Sequence, residues 1–274
     1  MPKFTDIYDL KYPWLKNTDD RSVKCCLCGG KHKTADRLVF KINSKFYRIR
    51  ECLVDGLMFL SPQPGQKYLN SLYNHPSYFQ GADDMYGLAV DEEKSKKIAR
   101  IRIDEILKYK NNASSILEIG CAYGHTLVAA KEAGFKMADG LEFSKDAVRA
   151  CRDKGLRVFL SSSDKISLAS IKKNRYDVIA MYSVLEHVRN PLVFLKKMIP
   201  MIASQGIIVI RVPEMSASGP WLSLLDHTWH FTRKSMKRLL GKVNLSVVDI
   251  FSSGKFIGLQ HGGELSSMTV IVKK

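Results

Sequence analysis

The chain has 274 residues, 45% hydrophobic and 26% charged, which suffices for an ordinary core in one to two domains. Nine prolines and eighteen glycines exclude a collagenous or low-complexity chain, and no apolar run approaches the ~20 residues that cross a bilayer. Its 43 basic and 27 acidic side chains leave a net charge of +16, a balance that suits a polyanion, an anionic membrane surface or an anionic substrate. The excess is even: +6 over residues 1–70, +5 over 71–210 and +5 over 211–274, with no basic arm or tail. The first sixteen residues mix charge with aromatics and lack a secretory pattern, so a cytoplasmic protein without a membrane span is expected.

In chain order, Leu38–Ile42 and Phe46–Arg50 flank the polar turn Asn43-Ser44-Lys45 and predict a β-hairpin. Ser61-Pro62-Gln63-Pro64-Gly65 breaks that pattern. Residues 66–112 read as helical, with a polar loop at Gly81–Asp84 and a helix over Glu92–Lys110. That helix carries Ile98, Ile101, Ile106 and Leu107 near a 3.6-residue period.

From Ser115 strands and helices alternate. Strands are predicted at Ile116–Ile119, Ala138–Leu141, Arg157–Leu160, Tyr176–Met181 and Gly206–Val212. Helices are predicted at Thr126–Ala133, Ala147–Lys154, Pro191–Ile202 and Thr232–Leu240. Short continuous apolar strands between helices indicate a parallel sheet covered on both faces. Ser246–Phe251 and Met268–Val272 close the chain as an antiparallel pair at one sheet edge.

The first strand-turn-helix unit reads Glu118-Ile119-Gly120-Cys121-Ala122-Tyr123-Gly124. Glycines after a strand let backbone approach a ligand, and the helix that follows offers free N–H groups. Gly140-Leu141-Glu142-Phe143 ends the second strand with an acid suited to ribose hydroxyls. The spacing is not the G-x-G-x-x-G of a dinucleotide site, and Glu118 would repel a pyrophosphate.

With ILEIGCAYGH, GLEFS, YDVIAMYSVLEHVRNP and GIIVIRVP, the chain resembles the class I S-adenosylmethionine-dependent methyltransferases over about three quarters of its length. The resemblance implies an α/β, Rossmann-like, seven-stranded sheet. It places Glu118, Gly120, Ala122 and Gly124 along the methionine and ribose end of the cofactor, Glu142 at the ribose hydroxyls and Phe143 against adenine. Tyr182 falls where the family shapes the methyl-transfer pocket. Ser161-Ser162 replace the family's frequent Gly-Asp after the third strand, which leaves Ser162 at the adenine position. The run Tyr73…Tyr78-Phe79…Tyr86 resembles a helical lead-in that closes over the cofactor, which makes Tyr78 a further candidate. Ala122 departs from the family's glycine.

Six cysteines are present, four of them within the first 52 residues. Cys25-x-x-Cys28-Gly29 and Cys52-x-x-Asp55-Gly56 have the spacing of two zinc knuckles joined by a hairpin. Asp55 stands where a fourth cysteine would be, with His32 and Cys26 as alternatives. The segment resembles the N-terminal zinc-binding module of some sugar methyltransferases, through Cys52-Leu53-Val54-Asp55-Gly56-Leu57-Met58-Phe59-Leu60-Ser61-Pro62-Gln63-Pro64. Three parts follow: a zinc-ribbon-like β module at 1–65, a helical lead-in or lid at 66–112, and a cofactor-binding domain at 113–274.

Methyl transfer to an alcohol or carbon acid needs close approach and a base. His187, in Leu185-Glu186-His187, follows the fourth strand. His227 and His230, in Asp226-His227-Thr228-Trp229-His230-Phe231-Thr232, match the family's E-H-L-x-x-F-T segment, and Asp226 could orient one imidazole. His261-Gly262-Gly263-Glu264 resembles the HGGSLR loop of nucleotide-sugar C-methyltransferases. The expected function is methylation of oxygen or carbon on a small molecule, a sugar, nucleotide-sugar or glycan, using S-adenosylmethionine, a histidine base and a structural zinc. The alternative is an RNA methyltransferase with an N-terminal zinc module; the even charge and sugar-like flanking motifs speak against a nucleic-acid partner.

Overall fold

The computed structural model describes residues 4–6, 20–42, 45–73, 92–161, 171, 175–215, 225–257 and 264–274. Two sheets organise them. The larger has seven strands: β5 (Ser115–Ile119), β6 (Met137–Glu142), β7 (Arg157–Leu160), β8 (Tyr176–Tyr182), β9 (Ile202–Pro213), β11 (Ser246–Ile257) and β12 (Glu264–Lys273). Their spatial order is β11-β12-β9-β8-β5-β6-β7. The five strands from β7 to β9 pair in parallel, while β12 runs antiparallel between β9 and β11. All five residues of β5 are buried, as expected of a strand covered on both faces. This is the Rossmann-like seven-stranded sheet that the resemblance implies, with the parallel strands that the alternating pattern predicts.

Chain direction across the sheet reverses between β5 and β8, each of which begins one half of the parallel order. The carboxyl ends of such a pair form the crevice where open α/β sheets take ligands. Around the sheet lie α2 (Glu92–Tyr109), α3 (His125–Glu132), α4 (Lys145–Asp153), α5 (Pro191–Met198) and α6 (Arg233–Gly241), with α1 (Gln66–Tyr73) ahead of them. Ser144 caps α4 through Ala147 N, Asn190 caps α5 ahead of Pro191, and Thr232 and Ser235 form a capping box on α6. In α2 the inward face is Ala99, Ile103 and Ile106, an i, i+4, i+7 stripe. Ile101, expected on that face, is 47% exposed, because it falls outside the stripe of Ala99, Ile103 and Ile106.

The smaller sheet has the order β1-β2-β3-β4-β10, from β1 (Phe4–Asp6), β2 (Thr34–Ile42), β3 (Lys45–Cys52), β4 (Met58–Ser61) and β10 (Trp229–His230). The expected hairpin is β2–β3, with Ile42 opposite Lys45. Its fifth strand comes from far along the chain: Trp229 pairs with Phe59 and His230 with Met58. The indole Nε1 of Trp229 donates to Val188 O at 2.7 Å, and its ring lies 5.9 Å from Phe59. Leu27, Leu57 and Phe59 thereby join Trp229, Phe231, Met236 and Leu239 in one continuous core. Among the described residues no helix is long and apolar enough to cross a membrane.

Candidate functional site

The loop after β5 is bent by a left-handed position at every second residue: Gly120 (φ 69°), Ala122 (φ 45°) and Gly124 (φ 77°). A side chain at Gly120 would meet Val184 Cγ2 at 2.7 Å; one at Gly124 would meet Leu156 Cδ1 at 2.5 Å. The glycines are therefore required twice, by backbone conformation and by close packing. Ala122 alone tolerates its methyl, and its N–H donates to Glu142 Oε2 at 2.8 Å.

Glu142, 4% exposed, also accepts from Phe143 N at 2.6 Å and Ser144 N at 2.8 Å through Oε1. Burial pushes its pKa up, against the three N–H groups that hold its charge. The carboxylate is thus locked in place with lone pairs left for a further donor.

Glu118, near the end of β5, is 2% exposed and its Oε2 has no partner among the described residues. Burial raises its pKa to about 7, opposed by Arg102 and Thr126. Arg102, on α2, sits 3.7 Å from Glu118 Oε1, donates to Thr126 Oγ1 at 3.1 Å and stacks 4.0 Å over the Tyr182 ring. Tyr182 ends β8, and burial pushes its phenol up as well, its hydroxyl unpartnered among the described residues. Arg102 carried no motif: its contact with Glu118 spans 16 residues and exists only once α2 packs against β5.

This donor set suits an amino-acid-bearing nucleoside. Glu142 keeps acceptor capacity suited to hydroxyls, the glycine loop admits close backbone approach, and the orphaned oxygen of Glu118 calls for a cationic or N–H partner. Phe143 is half-buried beside Glu142. Tyr78, Tyr86, Ser162 and the His261–Gly263 run lie outside the described residues, as do the side chains of Tyr73 and Glu264.

At the end of β8, His187 keeps 15% of its side chain exposed. Its Nδ1 lies 3.0 Å from the carbonyl oxygen of Asp226 and 3.5 Å from Asp226 Oδ2. A carbonyl only accepts, so Nδ1 carries the proton. The His227 ring packs edge-on to His187 with centroids 4.6 Å apart, its Nδ1 enclosed. Burial, and then His187 and His230, hold the His227 pKa well below 6.5. His230 is 3% exposed within β10, and burial lowers its pKa to about 4. Of the three candidate bases, the structure brings His187 and His227 together and sets His230 in the seam with the small sheet.

In the small sheet, Cys25, Cys28, Cys52 and Asp55 bring one ligand atom each to within 4.8 Å of one another. Asp55 Oδ2 lies 3.1 Å from Cys52 Sγ, 3.7 Å from Cys25 Sγ and 3.3 Å from His32 Nδ1. Its other oxygen accepts from Arg238 Nη1 of α6 at 2.8 Å. Although burial would raise it, hydrogen bonds from Cys52, Arg238 and His32 hold the Asp55 pKa at about 2. Cys26 stands outside the cluster, and the part played by Arg238 has no signal in sequence.

Comparison with known proteins places this geometry. Residues 90–250 match a family described as "Methyltransferase domain". No curated protein sequence matches the chain. Among solved structures, it is similar to a Burkholderia thailandensis 1,6-didemethyltoxoflavin-N1-methyltransferase with bound 1,6-didemethyltoxoflavin and S-adenosylhomocysteine. That likeness has a TM-score of 0.57 at 15% identity and covers 80% of this chain and 95% of the other. An S-adenosylmethionine-dependent methyltransferase from Archaeoglobus fulgidus gives a TM-score of 0.53 at 18% identity, covering 70% of this chain and all of the other. A coclaurine N-methyltransferase gives 0.52 at 13% identity, over 76% and 80%. The matched span exceeds half of the chain and contains the glycine loop, Glu118, Glu142 and His187, so the chain belongs to the methyltransferase-domain family and is an S-adenosylmethionine-dependent methyltransferase.

Proposed function

We propose that the chain transfers the methyl group of S-adenosylmethionine to oxygen or carbon of a sugar, nucleotide-sugar or glycan, with His187 activating the acceptor. The observation that carries the cofactor half is the pair of buried carboxylates around the left-handed loop: Glu142 held by three N–H groups, and Glu118 with one oxygen unpaired. In this reading Glu142 binds the ribose hydroxyls and Phe143 lies on the adenine. Glu118, Gly120, Ala122 and Gly124 line the methionine and ribose end, and Tyr182 shapes the pocket around the methyl. Tyr78 and Ser162 complete it from the lead-in and the third-strand loop. The cofactor supplies an electrophilic methyl; the chain orients the acceptor, excludes water and receives or directs its proton.

The sugar class is supported by two flanking resemblances, the Cys25…Pro64 module and the His261–Glu264 loop, and by a net charge of +16 that favours phosphorylated acceptors. Cys25, Cys28, Cys52 and Asp55 hold a structural zinc, as their three sulfurs and one oxygen suit a closed four-ligand site. His187 is chosen over His227 and His230 because it combines an exposed edge with an Nδ1 fixed by Asp226.

Calorimetric titration with S-adenosylmethionine and S-adenosylhomocysteine tests the cofactor site. Glu142→Ala should weaken binding by about tenfold or more, since a charge-assisted hydrogen bond contributes about 1.5–3 kcal/mol. His187→Ala should leave that affinity nearly intact and lower turnover on nucleotide-sugars by ~100-fold or more. A fully active His187→Ala variant would remove the residue from the mechanism.

A further inference from the structure

The proposed cofactor site does not use Glu186, which is 1% exposed and has no hydrogen-bond partner on either carboxylate oxygen among the described residues. A carboxylate in that position is strongly disfavoured unless something positive or hydrogen-donating meets it. The groups acting on it are His187, its own backbone N–H and a second buried acid, Asp226, itself 2% exposed. His227 Nδ1 is likewise enclosed and unpartnered. One oxygen of Glu186 and one ring nitrogen each of His187 and His227 lie within 4.8 Å of one another. Bonds of about 2.0–2.2 Å to a shared ion would draw those three atoms closer together.

The surroundings are built for this. Thr228 N, Trp229 N and Thr228 Oγ1 all donate to the carbonyl oxygen of Glu186, at 2.9, 3.2 and 3.1 Å, clamping the turn after β8 to the segment that carries His227. Asp226 takes the Nδ1–H of His187, the outer-shell arrangement typical of ligating imidazoles.

We propose that Glu186, His187 and His227 bind one divalent transition-metal ion through a carboxylate oxygen and two imidazole nitrogens, with further coordination positions open to the acceptor. Two imidazoles and one carboxylate suit zinc, manganese, iron, cobalt or nickel better than calcium or magnesium, which favour oxygen ligands throughout. The consequence rests on the acceptor reading above and deepens it: His187 activates the acceptor through the ion it holds, not by taking the proton on a ring nitrogen. Methyl transfer to a hydroxyl forms a C–O bond, breaks the S–C bond of the sulfonium and releases one proton to solvent. An ion beside the hydroxyl makes that ionisation easier.

The test uses the full chain with zinc loaded into the Cys25–Asp55 cluster and loosely held zinc stripped by a weak chelator. Mn2+ is then titrated in, the free ion being followed by electron paramagnetic resonance. One saturable Mn2+ per chain is expected, with nitrogen couplings from two imidazoles in the pulsed spectrum. Glu186→Gln and His227→Ala should each weaken it by about tenfold or more. Absence of a saturable site, absence of nitrogen coupling in the native chain, or unchanged binding in both variants overturns the site. The native spectrum decides if a variant fails to fold. If turnover depends on His187 but no ion binds, the ion is refuted and the acceptor end stands. If the ion binds and no sugar is methylated, the metal site stands and the sugar reading falls.

Discussion

Glu118→Gln isolates the cost of keeping one unpaired carboxylate under the cofactor loop. Burial places the folded-state pKa of Glu118 at about 7, against an ordinary value of 4.5. The folded chain therefore holds this proton more tightly than the unfolded chain does. Below pH 4.5 both states are protonated and the contribution to stability is fully present. As pH rises towards 7 the unfolded state has lost the proton while the folded state keeps it, and stability falls. At ~1.4 kcal/mol per pKa unit, the loss from this group is roughly 3 kcal/mol, complete just above pH 7. Glutamine is neutral and nearly isosteric, so it removes the titration while keeping the shape. Urea denaturation of the cofactor-free chain at pH 5 and pH 8 measures the difference. The variant should be close to wild type at pH 5 and more stable by up to roughly 3 kcal/mol at pH 8. Parallel stabilities at the two pH values would show that Glu118 is already satisfied in the folded chain, and the assignment of its free oxygen to a cationic ligand group would fail.

Three further outcomes follow from the geometry. Gly124→Ala should destabilise by several kcal/mol, because its Cβ would lie 2.5 Å from Leu156 at φ 77°. Ala122→Gly should change stability by less than about 1 kcal/mol, with left-handed strain relieved and unfolded-chain entropy increased; thermal denaturation of both variants checks the contrast. Elemental analysis should find one zinc per chain after gentle purification, and chelation or Asp55→Ala should lower the melting temperature, most visibly in probes of the small sheet. Trp229→Ala should cost about 3–5 kcal/mol and expose β4 to hydrogen exchange, since the indole is 1% exposed and bonds Val188 across the seam; unchanged protection of β4 would refute the joint role of β10.

Much of the larger sheet is legible along the chain because its determinants are local. Short apolar runs, capping residues such as Ser144 and Asn190, and the glycine loop each act within a few residues. The ends of β6, β7, β8 and α4 fall within a residue or two of those predicted from period and breakers. The same locality marks the two candidate acids, Glu118 near the end of β5 and Glu142 at the end of β6. β4 and β10 carry no such mark. Two residues, Trp229 and His230, make a strand only because Met58 and Phe59 are there to pair with them.

What the sequence by itself determined is therefore the alternation of elements, the acids at or near strand ends, and the spacing of Cys25, Cys28 and Cys52, with Asp55 one of three candidates beside them. Tertiary structure alone decided how distant groups meet: Arg102 with Glu118 and Tyr182, Arg238 with Asp55, and His227 with Glu186 and His187. It also decided that the small sheet shares a core with the larger domain and that His230 is spent in their seam. The reason is physical. Periodicity and capping are short-range properties of a chain, whereas desolvation and charge pairing depend on which surfaces packing brings together.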